Sequence, residues 1–170
     1  MDFKLNSYLM LQQELINKSL NEFLPAESAF PERIHSAMRY SVFAGGKRLR
    51  PILTLAAAEA VGGIKDSVVR VACAIEFLHT YSLIHDDLPA MDNDDYRRGK
   101  LTCHKVYGEA VAILAGDALL THAFEMLSDL HCKNDLSIII KEISAAVGSK
   151  GMIGGQVVDR LAAQQNLAPG

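Results

Sequence analysis

Apolar residues recur every three or four positions along almost the whole chain, while the sustained alternation and Val/Thr/aromatic-rich runs expected of strands are absent. The pattern predicts an all-α protein. A first helix is expected over residues 2–24, with Leu5, Leu9, Gln12, Ile16, Leu20 and Phe23 near one stripe and Pro25 as its stop. A second is predicted over 31–44, ended by Gly45 and Gly46, because glycine enters the left-handed conformation of a helix end without steric cost. Pro51 opens a third over 52–61, closed by Gly62 and Gly63. Asp66 is the expected N-cap of a long helix over 67–87, and a polar loop over 93–101 follows. Further helices are expected over 102–131, 135–147 and 150–165.

With 170 residues and no internal repeat or low-complexity tract, the chain is read as one domain with one core. Seventeen Lys and Arg against twenty Asp and Glu leave a net charge of -3, so there is no overall basic field for nucleic acid, and any phosphate site must be local. Cys73, Cys103 and Cys132 form no close pair, which argues against a zinc site or disulfide framework and fits the reducing cytoplasm. No export signal is visible at the N-terminus, and no stretch is expected to span a membrane.

The unusual chemistry is concentrated in one place. Asp86, Asp87, Asp92, Asp94 and Asp95 put five carboxylates within ten residues, directly after an apolar helix. Like charges this crowded repel, which is tolerable if water solvates them as an acidic surface loop, or if they share a cation. Two features favour the cation. His79 and Ser82 precede Asp86 by seven and four residues, so a polar line runs along the apolar helix into the cluster. Pro89 must then kink or end the helix, which can swing Asp92 back beside Asp86. The EF-hand pattern is not met, and oxygen ligands alone point to magnesium, whose shell is usually completed by water and substrate phosphates. Arg97, Arg98, Lys47, Arg48 and Arg50 supply matching cations.

The segments Gly45-Gly46-Lys47-Arg48-Leu49-Arg50-Pro51, His79, Asp86-Asp87-Leu88-Pro89-Ala90-Met91-Asp92 and Arg97-Arg98-Gly99 together resemble the trans-prenyltransferases, or polyprenyl synthetases, and within them the bacterial farnesyl diphosphate synthases. Gly116-Asp117 and Gly154-Gly155-Gln156 through Asp159 extend the likeness. The resemblance implies the all-α isoprenoid synthase bundle and a head-to-tail condensation of an allylic diphosphate with isopentenyl diphosphate. It implies that Asp86 and Asp92 bind magnesium on the allylic diphosphate with support from Asp87. Arg97 would grip that diphosphate, and Lys47, Arg50, His79 and Arg98 the diphosphate of isopentenyl diphosphate.

Tyr81 and Ser82, five and four residues before Asp86, are expected to set product length, or else merely to pack against neighbouring helices. Gln156 and Asp159 are candidates to support the metal or the allylic tail, or else lie on a polar surface. Asp117 reads as a hydrogen-bonding structural residue rather than a ligand. The family's second aspartate-rich motif does not occur in the chain, which is therefore expected to be the N-terminal part of a single synthetase domain, inactive alone and homodimeric when complete. Two other readings stay open: a non-catalytic half-synthase that binds or regulates a partner, and a metal-dependent phosphohydrolase using His79, His85, Asp86 and Asp117.

Overall fold

The computed structural model describes residues 4–130 and 135–166. Its elements in chain order are α1 (Leu5–Phe23), α2 (Glu32–Val42), α3 (Leu49–Val61), α4 (Asp66–Asp86), β1 (Tyr96–Arg97), β2 (Lys100–Leu101), α5 (Cys103–Tyr107), α6 (Glu109–Ser128), α7 (Leu136–Val147) and α8 (Met152–Asn166). The chain divides into two compact units, Met1–His131 and Cys132–Gly170.

In the first unit α4 is the central rod. It packs against α6, α3, α1 and α2, and α6 in turn receives α2 and α5. The apolar stripes of these helices meet here: Ile16 and Leu20 of α1, Leu55 of α3, Phe77 and Leu78 of α4 and Leu119 and Leu127 of α6 are enclosed. In the second unit α7 packs on α8, and Ile138, Ile153, Val157, Val158 and Leu161 are exposed.

The helices lie where the periodicity predicts, with differences that have local causes. The third helix begins at Leu49, so Pro51 occupies its first turn rather than opening it; that position is tolerated because no N–H is needed there. Asp66, the expected N-cap, is instead the first residue of α4, with Lys65 at the cap. The helix expected over 102–131 is two helices, α5 and α6, separated at Gly108, whose φ of 86° departs from helical backbone. Residue 131 itself lies outside the described residues. The polar loop contains a small antiparallel hairpin, with Tyr96 opposite Leu101 and Arg97 opposite Lys100.

By length and composition, α4 and α6 are each long and apolar enough to cross a bilayer, a test that core helices also pass. The two helices lie against one another, with Phe77 and Leu78 of α4 and Leu119 and Leu127 of α6 in the core of the unit, while Ile113 and Leu114 of α6 are exposed.

Candidate active site

Helix α4 ends at Asp86, and the chain folds back upon that end. Asp87 N–H bonds Leu83 O at 3.1 Å, Met91 N–H bonds Leu88 O at 2.8 Å, and Asp92 N–H bonds Asp86 O at 2.9 Å. Pro89, which cannot donate, sits within this turn, and Asn93 closes it with a positive φ of 56°. The expected return of Asp92 to the end of the helix is thus made through the backbone, with Asp86 half-buried and Asp92 exposed.

Asp87 has a different environment. Its side chain is 5% exposed and holds Arg97 at 2.7 Å to Nε and 2.6 Å to Nη2. Burial raises the Asp87 pKa and outweighs the opposing pull of Arg97, while the same bond raises that of Arg97. Arg97, expected from the resemblance to grip a diphosphate, is here occupied by Asp87, with Asp94 at 3.7 Å.

Arg98, the next residue, turns elsewhere. With φ of 54° it reaches the loop between α2 and α3 and donates to the Gly45 carbonyl. A Cβ on Gly46 would lie 2.8 Å from Arg98 Cζ, and Gly46 has φ of 132°, so this position admits the guanidinium only because it lacks a side chain. Together Gly45, Gly46, Lys47, Arg50, His79 and Arg98 line a cavity of about 550 Å³. Arg50 Nη1 is 3.4 Å from His79 Nε2. Burial, and then Arg50, Arg98, Arg97 and Arg48, lower the His79 pKa to about 4, so its ring is neutral at pH 7 in a basic cavity.

Arg48, expected with Lys47 and Arg50 among the cations that match the carboxylates, does not stand with them. It is buried against Glu76 at 2.8 Å, each side chain 3% exposed. Glu76 is a residue that sequence reasoning passed over, although a signal existed: it stands three residues before His79 and continues the polar line along α4.

Tyr81 and Ser82 are both buried, behind the carboxylate end of α4. Ser82 Oγ donates to His79 O at 2.8 Å, whereas the Tyr81 hydroxyl is buried without a hydrogen-bond partner and its ring meets His85 edge-on at 5.8 Å. His85 Nε2 in turn lies 3.0 Å from Ile113 O and 3.8 Å from Asp117 Oδ1. Facing a carbonyl oxygen, that ring nitrogen is the protonated donor, which fixes the ring between α4 and α6. Gln156 and Asp159 belong to α8 of the second unit, half-buried and exposed respectively.

Among the described residues no group of three or more His, Cys, Asp and Glu side chains is placed to hold a metal. The donor chemistry nevertheless fits a hard divalent cation. Asp86 and Asp92 offer oxygen only, on backbones joined by a hydrogen bond, and such an ion accepts water and phosphate for its remaining positions.

The Polyprenyl synthetase family profile matches residues 31–168. A dimethylallyltranstransferase of Fischerella ambigua (strain UTEX 1903) is 53% identical over 161 residues, 92% of this chain and 46% of its own length. The large subunit 1 of a heterodimeric geranylgeranyl pyrophosphate synthase from Arabidopsis thaliana is 51% identical over 162 residues, 92% of this chain and 43% of its own. The apo crystal structure of an FPP/GFPP synthase from Zymomonas mobilis superposes with a TM-score of 0.88 at 41% identity, covering 97% of this chain and 60% of that one. A geranyltranstransferase structure from Thermotoga maritima gives 0.79 at 39% identity, covering 90% and 55%. The chain therefore spans less than half the length of these two curated relatives. Its all-α architecture is the isoprenoid synthase fold of those structures, and with a profile match running through α2 to α8, the chain belongs to the polyprenyl synthetase family.

Proposed function

We propose that these residues supply the diphosphate-binding part of a head-to-tail prenyl transferase, which joins dimethylallyl or geranyl diphosphate to isopentenyl diphosphate and stops at farnesyl diphosphate. The observation that carries this reading is the hairpin: Arg97 is fixed on Asp87 of the carboxylate turn, and its neighbour Arg98 lines the basic cavity. A carboxylate end suited to one metal-bound diphosphate and a cationic cavity suited to another are thereby joined through adjacent residues. Two diphosphates are what a condensation of this kind requires.

In this reading Asp86 and Asp92 hold magnesium, which when bound neutralises charge on the departing pyrophosphate. Asp87 keeps Arg97 beside that charge. Lys47, Arg50 and Arg98 receive the diphosphate of isopentenyl diphosphate by charge, and neutral His79 adds a hydrogen bond. Tyr81 and Ser82 set how far a prenyl tail extends along α4, the bulk of Tyr81 favouring fifteen carbons. The complete enzyme is proposed to be a cytoplasmic homodimer, with Gln156 and Asp159 supporting the allylic site.

The test is incorporation of radiolabelled isopentenyl diphosphate into an organic-extractable product by a chimera that continues this chain with the remainder of a full-length relative. Incorporation should require both a divalent cation and an allylic diphosphate; label entering the extract in EDTA would overturn the metal reading. A non-catalytic half-synthase is the second reading, and stable co-purification with a longer synthase would support it.

A further inference from the structure

The loop between α2 and α3 carries two exposed basic residues, Lys47 and Arg50, and between them a third with a different fate. Arg48 has a left-handed backbone and a buried side chain, and each nitrogen of its guanidinium meets an acceptor from this chain. Nη1 donates to Glu76 Oε1 at 2.8 Å, Nη2 to Val42 O at 2.7 Å and Nε to Asn17 Oδ1 at 2.9 Å. Those acceptors belong to α4, the end of α2 and α1. The adjoining carbonyls are held as well, Gly46 O by Gln13 Nε2 at 2.9 Å and Gly45 O by Arg98.

A buried ion pair contributes little net stability, because desolvation of both charges offsets their attraction. What it does supply is geometry. Glu76 lies three residues before His79 on α4, about one turn or ~5 Å along the helix. Arg48 lies two residues before Arg50. The pair therefore ties the loop to α4 beside the point where Arg50 meets His79, 3.4 Å apart. Turning Arg48 toward a ligand would break three bonds and leave Glu76 buried and charged.

We propose that Arg48, clamped by Glu76, is a positioning residue of the diphosphate cavity, binding no phosphate itself but fixing the loop so that Lys47 and Arg50 converge with His79. This rests on the reading of the cavity as a diphosphate site. It also makes an electrostatic prediction of unusual sign, because Arg48 and Glu76 both line the cavity. Removing the Glu76 charge makes the cavity more positive. If Arg48 were a phosphate ligand restrained by Glu76, or if only charge mattered, Glu76→Gln should tighten anion binding. If the pair positions the loop, the same change should weaken it.

The experiment is calorimetric titration of the 170-residue chain with inorganic pyrophosphate in EDTA, which silences the carboxylate site, for wild type, Glu76→Gln, Arg48→Lys, Asn17→Ala, Lys47→Ala and Arg50→Ala. Glu76→Gln and Arg48→Lys are expected to weaken binding about tenfold or more, as loss of one partner of a buried charged pair does. Asn17→Ala removes only a half-buried acceptor and should fold normally while weakening binding about threefold. The His79 imidazole, followed by NMR, should titrate higher than its wild-type value of about 4 in these variants, since Arg50 is no longer held beside it. Added positive charge alone would move it the other way. Tighter or unchanged binding by Glu76→Gln in a chain of native melting overturns the proposal, and where that variant does not fold, unchanged affinity in Asn17→Ala does so. Unchanged affinity in Lys47→Ala and Arg50→Ala overturns the cavity reading itself, and the proposal with it. Loss of affinity in those two alone sinks only the positioning role.

Discussion

The ring of His85 fills the space in which a side chain at residue 116 would begin. A Cβ built on Gly116 would lie 2.6 Å from His85 Cδ2, so α4 and α6 approach closely one residue before Asp86. Gly116→Ala should gain about 1 kcal/mol of helix propensity, yet displacing a packed ring costs about 1–3 kcal/mol, so the clash wins. A lowered melting temperature is expected. A raised one would show that the ring moves aside freely.

His79 gives the fold a pH dependence of defined sign. Its ordinary value of 6.5 falls to about 4 in the folded chain, chiefly by burial and then by Arg50, Arg98, Arg97 and Arg48. Between those values the unfolded chain binds a proton that the folded chain does not, so this contribution is complete above about pH 6.5 and is lost as pH falls toward 4. The melting temperature should fall with acid over that window for wild type and less so for His79→Gln. Equal slopes would remove His79 as the cause.

Turnover should depend on Asp86. In the chimera described above, Asp86→Ala is expected to lower incorporation of isopentenyl diphosphate by about a hundredfold or more, the usual scale for losing a group that stabilises transition-state charge. Activity within about threefold of the parent would return the carboxylates to an ordinary acidic turn. The 170 residues by themselves are expected to show no turnover, and activity from a preparation of matching intact mass would contradict this.

Product length should respond to Tyr81 and Ser82. Ser82→Phe is expected to shorten the product toward ten carbons and Tyr81→Ala to lengthen it toward twenty, because a tail extends only where volume is open. The Tyr81 hydroxyl is buried without a partner, so Tyr81→Phe should be neutral or stabilising while leaving product length unchanged. Chromatography of the dephosphorylated alcohols reads all three variants, and an unchanged distribution in the first two would place the limit elsewhere.

The helices and the acidic turn were legible because both depend on near neighbours in sequence. Periodicity locates α4, and Pro89 announces its end. Less accessible was anything decided by a distant partner. Arg48 and Lys47 are adjacent basic residues with the same local pattern, and it is acceptors far along the chain, Asn17 and Glu76, that hold one of them buried while the other stays exposed. The same holds for Arg97 and Arg98, whose separate destinations depend on a positive φ at residue 98. The break at Gly108 was locally encoded, but an isolated glycine in an apolar stretch is also compatible with a continuous helix.

The hairpin has a consequence for how this chain can change over evolutionary time. Surface connections usually accept insertions and deletions freely. Here Leu101 O receives Tyr40 Oη at 2.7 Å, Thr102 Oγ1 bonds Asp94 O at 2.8 Å, and Lys105 pairs with Asp95 at 2.7 Å, so both ends of the segment are anchored. Between those anchors, adding or removing one residue would send the two arginines to each other's destinations or to neither. The length of this connection is therefore constrained at both ends, whereas after α3 the constraint is on conformation rather than length: an added Cβ at Gly62 or Gly63 meets nothing within 4 Å, but Gly63 holds a φ of 95° that side chains rarely adopt.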